Sequence, residues 1–221
     1  MTLAIFDLDD TLIDGDSASL WLGYMVQQGW ADGDMLHTEQ QMMRTYHLGD
    51  LSMLDYMNFW LKPLCGIAVA EIAQRADAFV SALIPPRVFP AARRQMDWHL
   101  QQGHQLLIIS ATADFIVRRV ASMLGVDDVI AIELEEKDGC YTGSTQGVLS
   151  FHAGKVQRLQ VWMDSHGSSL QGSYGYSDSV NDLPLLRAVE HASVVNPSSS
   201  LEQISDQHQW PQCHWQLDCL V

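Results

Sequence analysis

The spacing of apolar residues changes along this chain, and each change predicts a different kind of element. Residues 2–8 form a short apolar run without helical spacing, which predicts a buried strand. From Ser17 to about Leu83, apolar residues recur every three or four positions with breaks at glycine and proline. That spacing predicts a small bundle of about four helices. The segment PPRVFP, residues 85–90, is typical of a linker out of such a bundle.

The remaining residues have a pattern that predicts alternating helices and strands. A helix ending at Gly103 precedes the strand HQLLIISA, the helix DFIVRRVASMLG, and a strand that turns back as a hairpin at Asp138-Gly139. The segments KVQRLQVWM, GSYGYSD, LPLLRAV and ASVVN then predict a helix, a strand, a helix and a last strand. This alternation is typical of an α/β fold with a doubly wound, parallel, Rossmann-like sheet.

The two patterns together predict how the chain divides into domains. Residues 1–15 and 88–221 are expected to form the α/β core, and residues 16–87 an α-helical cap inserted after the first strand. With 221 residues, of which 47% are apolar, the chain is long enough to bury a sizeable core.

Composition and charge narrow the classes of partner. The chain has 27 Asp and Glu against 12 Lys and Arg, a formal net charge of −15, so nucleic acid would be repelled. The apolar runs are too short to cross a bilayer and the N-terminus has no basic leader, so we expect no membrane partner and a cytoplasmic location. The spacing of the cysteines favours reduced thiols. The cysteines lie at positions 65, 140, 213 and 219. The pattern leaves the oligomeric state open.

Acidic residues directly follow two of the predicted strands. The stretch LAIFDLDDTLIDGD places Asp7 and Asp9 on one side of an extended chain, and Asp178 ends a later strand. Because the carboxyl ends of parallel strands meet at one edge of a sheet, we expect Asp7 and Asp178 to lie together. Crowded carboxylates repel each other, and a hard divalent cation such as Mg²⁺ would offset that cost.

Four short motifs, in order along the chain, resemble those of the haloacid dehalogenase-like hydrolases. The residues that carry the resemblance are Asp7-Leu-Asp9-Asp10-Thr11 for the first motif (DxDxT), Ser110 after LLII for the second, Lys155 for the third, and Asp178-Ser-Val-Asn181-Asp182 for the acidic fourth. The helical insertion resembles the cap of the branch that includes phosphoserine phosphatase and a bacterial type of histidinol-phosphatase. The resemblance spans nearly the whole chain.

The resemblance implies a set of catalytic roles. Asp7 would attack phosphorus and form an aspartyl-phosphate, and Asp9 would protonate the leaving oxygen and then activate water. Ser110 and Lys155 would hold the phosphoryl oxygens. The ligands of Mg²⁺ would be Asp7, Asp178 and the main-chain carbonyl of Asp9. The presence of the second aspartate argues against carbon–halogen chemistry.

Several of these residues also have a purely structural interpretation. Ser110 and Thr112 precede a predicted helix, and either could cap it; we favour phosphate contact for Ser110 and leave the cap to Thr112. Asp182 would orient a metal-bound water, but it lies just before Pro184, so helix capping is a serious alternative. Asn181 is ambiguous for the same reason.

The cap is expected to select the substrate, because the chemistry of the core is generic. Asp16 corresponds to the glutamate that binds the substrate amine in phosphoserine phosphatase, although capping of the first cap helix is an equal alternative for it. Arg44 is a candidate for binding a substrate carboxylate. The stretch DGDS followed by an aromatic residue looks more like the histidinol-phosphatase relatives, and an acidic cap suits histidinol phosphate, which has an amine and an imidazole but no carboxylate.

The sequence therefore predicts a Mg²⁺-dependent phosphatase that acts on a small phosphorylated, amine-bearing metabolite. Histidinol phosphate is favoured and O-phosphoserine is the second candidate. An alternative of another class is a catalytically weak phospho-acceptor or phosphate-binding regulator built on the same site.

Overall fold

The structure is a computed structural model that describes residues 1–47 and 51–217. A seven-stranded β-sheet organises this described part of the protein, and only one pair of its neighbouring strands is antiparallel. The strand order is β4-β3-β2-β1-β5-β6-β7, and β3 and β4 form the antiparallel hairpin. In chain order the strands are β1 Leu3–Phe6, β2 Gln105–Ala113, β3 Asp128–Lys137, β4 Cys140–Gln146, β5 Tyr174–Ser177, β6 His191–Val195 and β7 Gln212–Cys213.

Helices occupy most of the chain between these strands. They are α1 Ser17–Gln27, α2 Asp34–His47, α3 Met53–Trp60, α4 Val69–Leu83, α5 Pro90–Gln101, α6 Asp114–Leu124, α7 Ala153–His166, α8 Leu183–Ala188 and α9 Ser199–His208. The α/β fold and the helical insertion after β1 are confirmed, and the insertion contains α1 to α4 as its pattern predicted.

The sheet is covered by helices on both faces, and the alternation of side chains along β1 shows why. Leu3 and Ile5 point into an apolar cluster with α7, α8 and α9, whereas Ala4 and Phe6 point into a second cluster with α5 and α6. A strand with two buried faces needs apolar residues at every position, which explains the unbroken run LAIF.

The cap helices bury their large side chains in the same cluster as one face of the core. Trp21, Trp60 and Phe79 are at most 1% exposed, and the ring centroid of Trp21 lies 5.4 Å from that of Phe115 on α6. The cap tryptophans are thus packing residues of this cluster. The cap and the core share one continuous apolar cluster.

Main-chain hydrogen bonds also join the cap to the β3–β4 hairpin. The Gly66 N–H donates to the Tyr141 carbonyl at 2.8 Å, the Tyr141 N–H to the Ile67 carbonyl at 3.0 Å, and the Val69 N–H to the Gly139 carbonyl at 2.9 Å. The segment before α4 therefore adds to the hairpin much as a further strand would.

Two predictions about the strands were wrong. The strand β2 continues past the predicted segment HQLLIISA to Ala113, with a register irregularity after Ile109, and β6, which was predicted as the last strand, is followed by the short strand β7. Trp215 packs behind β7 in the core, which ties the tail down. The described cysteines Cys65, Cys140 and Cys213 are free thiols, whereas Cys219 lies outside the described residues.

No helix among the described residues combines the length and the apolar character needed to cross a bilayer.

A buried histidine lies between α5 and the sheet. His99 is fully buried, with its Nδ1 2.8 Å from Nδ1 of His104 and its Nε2 2.9 Å from the Tyr176 hydroxyl. Burial, followed by the electrostatic effect of the neighbouring His104, lowers the pKa of His99 to about 4.

This histidine should make stability depend on pH. An unfolded chain protonates His99 near pH 6.5, so the stability from this group is complete above that pH and is lost as the pH falls toward 4. Between pH 7.5 and pH 5 we expect a loss of about 2 kcal/mol in the free energy of unfolding. In His99→Gln, the drop in the free energy of unfolding between pH 7.5 and pH 5, measured by urea unfolding, should be smaller than in the parent protein by that amount. His37→Gln, at an exposed position, is the control. An unchanged pH dependence in His99→Gln would contradict the assignment.

Candidate active site

The carboxyl ends of β1, β2 and β5 meet at one edge of the sheet. Strand β1 pairs in parallel with β2 on one side and with β5 on the other, so the residues after each strand become neighbours. The Asp7 N–H donates to the Tyr176 carbonyl at 2.9 Å. Asp7 and Asp178 both line one cavity of about 310 Å³, as the parallel topology predicted.

Thr11, the last residue of the DxDxT motif, holds Asp178 in place. Its hydroxyl donates to Asp178 Oδ1 at 2.9 Å, and the Asp178 N–H lies 3.0 Å from the same hydroxyl oxygen. Sequence reasoning missed this contact, although the threonine of the motif was the available signal.

A buried lysine joins two of the predicted acids. Lys155 is 2% exposed, and its Nζ donates to Asp7 Oδ1 at 2.8 Å and to Asp182 Oδ2 at 2.7 Å. The Ser177 hydroxyl also donates to Asp182 Oδ2, at 2.8 Å. Lys155 is thus a buried lysine rather than an exposed one, and it links the end of β1 to the segment before α8.

The turn before Lys155 requires a glycine. A Cβ atom added to Gly154 would lie 2.1 Å from the Leu149 carbonyl oxygen, which is part of the main chain and cannot move aside cheaply. The glycine therefore lets α7 begin close enough to the preceding loop for Lys155 to reach Asp7.

Burial and charge both act on the acids at this edge. Burial is the main reason that the pKa of Asp7 is raised to about 7. The positive charge of Lys155 lowers this pKa, whereas the negative charges of Asp182 and Asp9 raise it. The pKa of Asp178 is raised as well, by burial and then by Asp7 and Asp10. Burial alone would lower the pKa of Lys155, but Asp182 and Asp7 raise it above its ordinary value, so the lysine stays charged.

Asp9 is held by three donors from two parts of the chain. The Ser17 N–H donates to Asp9 Oδ1 at 2.7 Å, while the hydroxyls of Thr112 and Ser110 donate to Oδ2 at 2.9 and 3.3 Å. The prediction that Thr112 caps a helix was wrong, because α6 has Ala113 at its N-cap and β2 carries the Thr112 hydroxyl toward Asp9 instead. Ser110, fully buried, lies beside Asp9 as well.

The capping alternatives for Asp182 and Asp16 are resolved by their hydrogen bonds. Asp182 occupies the N-cap position of α8 without a side-chain capping bond, because its carboxylate is turned to Lys155. Asp16 does cap α1, since its Oδ1 accepts from the Ser19 N–H at 2.7 Å, and it also lines the cavity. Asn181 is buried next to Asp182, and Arg44 lies on the exposed side of α2.

The wall of the cavity combines acidic residues with apolar ones. Among its described residues, every charged one is an aspartate; these are Asp7, Asp9, Asp10, Asp14, Asp16 and Asp178. Apolar and aromatic side chains from the cap, among them Met43, Leu51, Met53 and Tyr56, also line the cavity. Arg44 is not part of the wall, although the neighbouring Met43 is.

The donor set at the sheet edge fits a hard divalent cation. Asp7 and Asp178 offer carboxylates whose pKa values are raised by burial and then by neighbouring aspartates, and of these two only Asp7 is in direct contact with Lys155 among the ion pairs of the described residues. No group of three or more His, Cys, Asp or Glu side chains among the described residues is arranged to hold a metal. A cation would therefore rely on two carboxylates together with the Asp9 carbonyl and water, a set that Mg²⁺ accepts because it keeps several waters.

Comparisons with known proteins agree with this geometry. A family model described as haloacid dehalogenase-like hydrolase matches residues 4–187, which contain all four motifs. A histidinol-phosphatase of Neisseria meningitidis serogroup C (strain 8013) is 37% identical over 214 residues, covering 95% of this chain and 96% of that protein.

Solved structures share the fold over almost its full length. The crystal structure of a protein with unknown function from Bordetella pertussis Tohama I is 34% identical, with a TM-score of 0.88, and the match covers 96% of this chain and 99% of that one. A phosphoserine phosphatase with a phospho-aspartyl intermediate analogue is 16% identical, with a TM-score of 0.72 and coverage of 98% and 94%. At that identity the second likeness shows the fold alone.

The buried lysine should be essential for stability. Lys155→Met leaves Asp7 and Asp182 buried without their cation, so we expect urea unfolding in metal-free buffer to show a loss of about 3–5 kcal/mol. The same change should cost less in an Asp7→Asn background, because one buried charge fewer remains. Lys137→Met, at an exposed position of β3, is the control. A loss at Lys155 no larger than in that control would contradict the ion pairing.

Proposed function

Because the chain belongs to the haloacid dehalogenase-like hydrolase family, we propose that it hydrolyses a small amine-bearing phosphomonoester with the help of Mg²⁺, and that histidinol phosphate is its favoured substrate. Its family and its phosphatase-named relatives make it a phosphoric monoester hydrolase. The Mg²⁺ dependence, the substrate and a cytoplasmic site of action are the parts that we propose.

The substrate class is inferred from the charged residues of the described cavity wall, all of which are aspartates. A substrate bound there needs positive charge on its leaving group, because every charged residue of the described wall is an aspartate. Residues 48–50 and 218–221, outside the described ranges, contain no lysine or arginine either. The amine and imidazole of histidinol phosphate suit such a wall.

O-Phosphoserine is the weaker candidate because of its carboxylate. Binding a carboxylate in an acidic cavity calls for an arginine or lysine, and Arg44, the predicted candidate, has an exposed side chain outside the wall. The similarity to the Neisseria histidinol-phosphatase supports the same order of preference.

In the proposed reaction, Asp7 and Asp9 have the two chemical roles. The Asp7 carboxylate attacks phosphorus and forms the aspartyl-phosphate. The bond between phosphorus and the ester oxygen breaks as Asp9 donates a proton to that oxygen. Asp9 then takes a proton from the water that hydrolyses the aspartyl-phosphate. The donors from Ser17, Ser110 and Thr112 keep the Asp9 carboxylate oriented through both steps.

Lys155 and the metal ligands provide the electrostatic part of the reaction. Lys155 lies 2.8 Å from Asp7, so its charge is close to the phosphoryl group that Asp7 attacks, and Ser110 is proposed to bind the same group. Asp7, Asp178 and the Asp9 carbonyl would hold Mg²⁺, which supplies positive charge for the phosphoryl oxygens. Asp182 is proposed to act mainly by fixing Lys155.

A panel of phosphate esters tests the function. We expect kcat/KM for histidinol phosphate to exceed that for O-phosphoserine and for p-nitrophenyl phosphate by at least about tenfold, because only the first combines two basic groups with no carboxylate. EDTA should abolish phosphate release and added Mg²⁺ should restore it. Equal rates for all three esters would contradict the substrate class, and no phosphate release from any of them would favour the phospho-acceptor alternative.

The aspartyl-phosphate route is tested at position 7. Asp7→Asn should lower kcat by at least about 10³-fold while the protein stays folded, because an amide is a poor nucleophile. Rapid quenching with ³²P-labelled substrate should trap label on the parent protein but not on the variant. Asp34→Asn, an exposed change on α2, is the matched control. Normal turnover by Asp7→Asn would contradict the route.

A further inference from the structure

The three groups that donate to the Asp9 carboxylate differ in what else they can bind. The Ser17 N–H, 2.7 Å from Oδ1, is a main-chain group and can only donate. The hydroxyls of Thr112 and Ser110 share the other oxygen, Oδ2, at 2.9 and 3.3 Å. Which of these two hydroxyls holds Oδ2 during proton transfer depends on their other partners.

Ser110 is the weaker of the two hydroxyl donors. Its 3.3 Å bond to Asp9 is longer than a usual O–H···O hydrogen bond, whereas the 2.9 Å bond from Thr112 lies within the usual range. The Ser110 hydroxyl has a single proton, and Ser110 is also proposed to bind the phosphoryl group. Asp9 and the phosphoryl oxygens would therefore compete for that proton.

Thr112 is held more firmly against Asp9. It is 4% exposed, and its N–H donates to Ser110 Oγ at 3.0 Å, which fixes the main chain of one residue to the side chain of the other. A threonine is branched at Cβ and has few choices of χ1 angle, so its hydroxyl keeps one direction more readily than that of a serine. Thr112 is thus the hydroxyl donor that is better placed to stay on Asp9.

The course of β2 explains how Thr112 comes to face Asp9. Leu106 and Ile108 belong to the apolar cluster with α5 and α6, and so does Ala113, although it is an odd number of residues further on. Side chains alternate between the faces of a regular strand, so the register irregularity in this part of β2 exchanges the two faces. Without it, Thr112 would lie on the same face as Ile108. The irregularity therefore re-aims the threonine.

We propose that Thr112 is a positioning residue that holds Asp9 ready to protonate the leaving group, so that hydrolysis of alkyl phosphate esters depends on its hydroxyl. This inference rests on the proposed function and adds to it a side chain that acts through Asp9. As the bond between phosphorus and the ester oxygen breaks, its electron pair stays on that oxygen and the Asp9 proton is transferred to it. An alkoxide is too basic to leave without this proton, whereas p-nitrophenolate is a stable anion.

The nature of the leaving group tests this role. Thr112→Val removes the hydroxyl and keeps the branched shape, so kcat/KM for histidinol phosphate and for phosphoethanolamine, both alkyl esters, should fall about ten- to hundredfold. The value for p-nitrophenyl phosphate should stay within about threefold of the parent value, because its leaving group needs no proton. Thr112→Ser, which restores a hydroxyl, should recover most of the loss. Thr38→Val, at an exposed position on α2, is the control.

A second measurement follows the step in which Asp9 takes a proton from water. Rapid mixing of Thr112→Val with p-nitrophenyl phosphate should release a burst of p-nitrophenolate at close to the parent rate, followed by slower steady turnover, because hydrolysis of the aspartyl-phosphate still needs Asp9 as base. Quenching during steady turnover of the ³²P-labelled ester should then trap more label on the variant than on the parent protein. A merely structural defect would lower the burst and the steady rate together.

The outcomes separate this inference from the function on which it rests. Parent protein that releases phosphate from none of the three esters overturns the proposed function, and the role of Thr112 with it. If the parent protein is active, equal losses of kcat/KM for alkyl and aryl esters in Thr112→Val, or no loss for either, overturn the role of Thr112 alone. A higher KM for the alkyl esters at unchanged kcat also overturns it, because Thr112 would then bind the leaving group directly.

Discussion

A buried ion pair shared by one lysine and two aspartates is the interaction on which the rest of this active site depends. Lys155 reaches Asp7 and Asp182 from the first turn of α7, and its charge makes it possible to bury both carboxylates. The lysine offsets only part of the negative charge at this edge of the sheet, because Asp9 acts on Asp7, and Asp10 and Asp7 act on Asp178. The remaining charge keeps the edge of the sheet attractive to a cation and poorly suited to a bare anion.

The cavity divides the work between the core and the cap. The core supplies rigid strand ends and donors that fix the reacting carboxylates, a task that depends little on the leaving group. The cap supplies apolar wall residues together with Asp16. Chemistry and selectivity therefore rest on different segments of the chain, although the apolar cluster beneath them is continuous.

The sequence was sufficient for the parts of the structure that follow from periodicity and topology. Apolar spacing placed the cap helices, and parallel strands brought Asp7 and Asp178 to one edge. Contacts that depend on how a side chain turns were beyond its reach. The Thr112 hydroxyl could not be assigned to Asp9 because β2 continues past the predicted segment HQLLIISA to Ala113, and the burial of Glu39 depends on how α2 packs against α1 and α3.

The three main-chain hydrogen bonds between residues 66–69 and the β3–β4 hairpin have a consequence for how this architecture diversifies. The two segments share one hydrogen-bonding register, so an insertion or deletion in either one breaks the pairing in the other. A cap transplanted from a relative would need its own hairpin to come with it. The unit of modular exchange is thus a discontinuous pair of segments, one from the cap and one from the core.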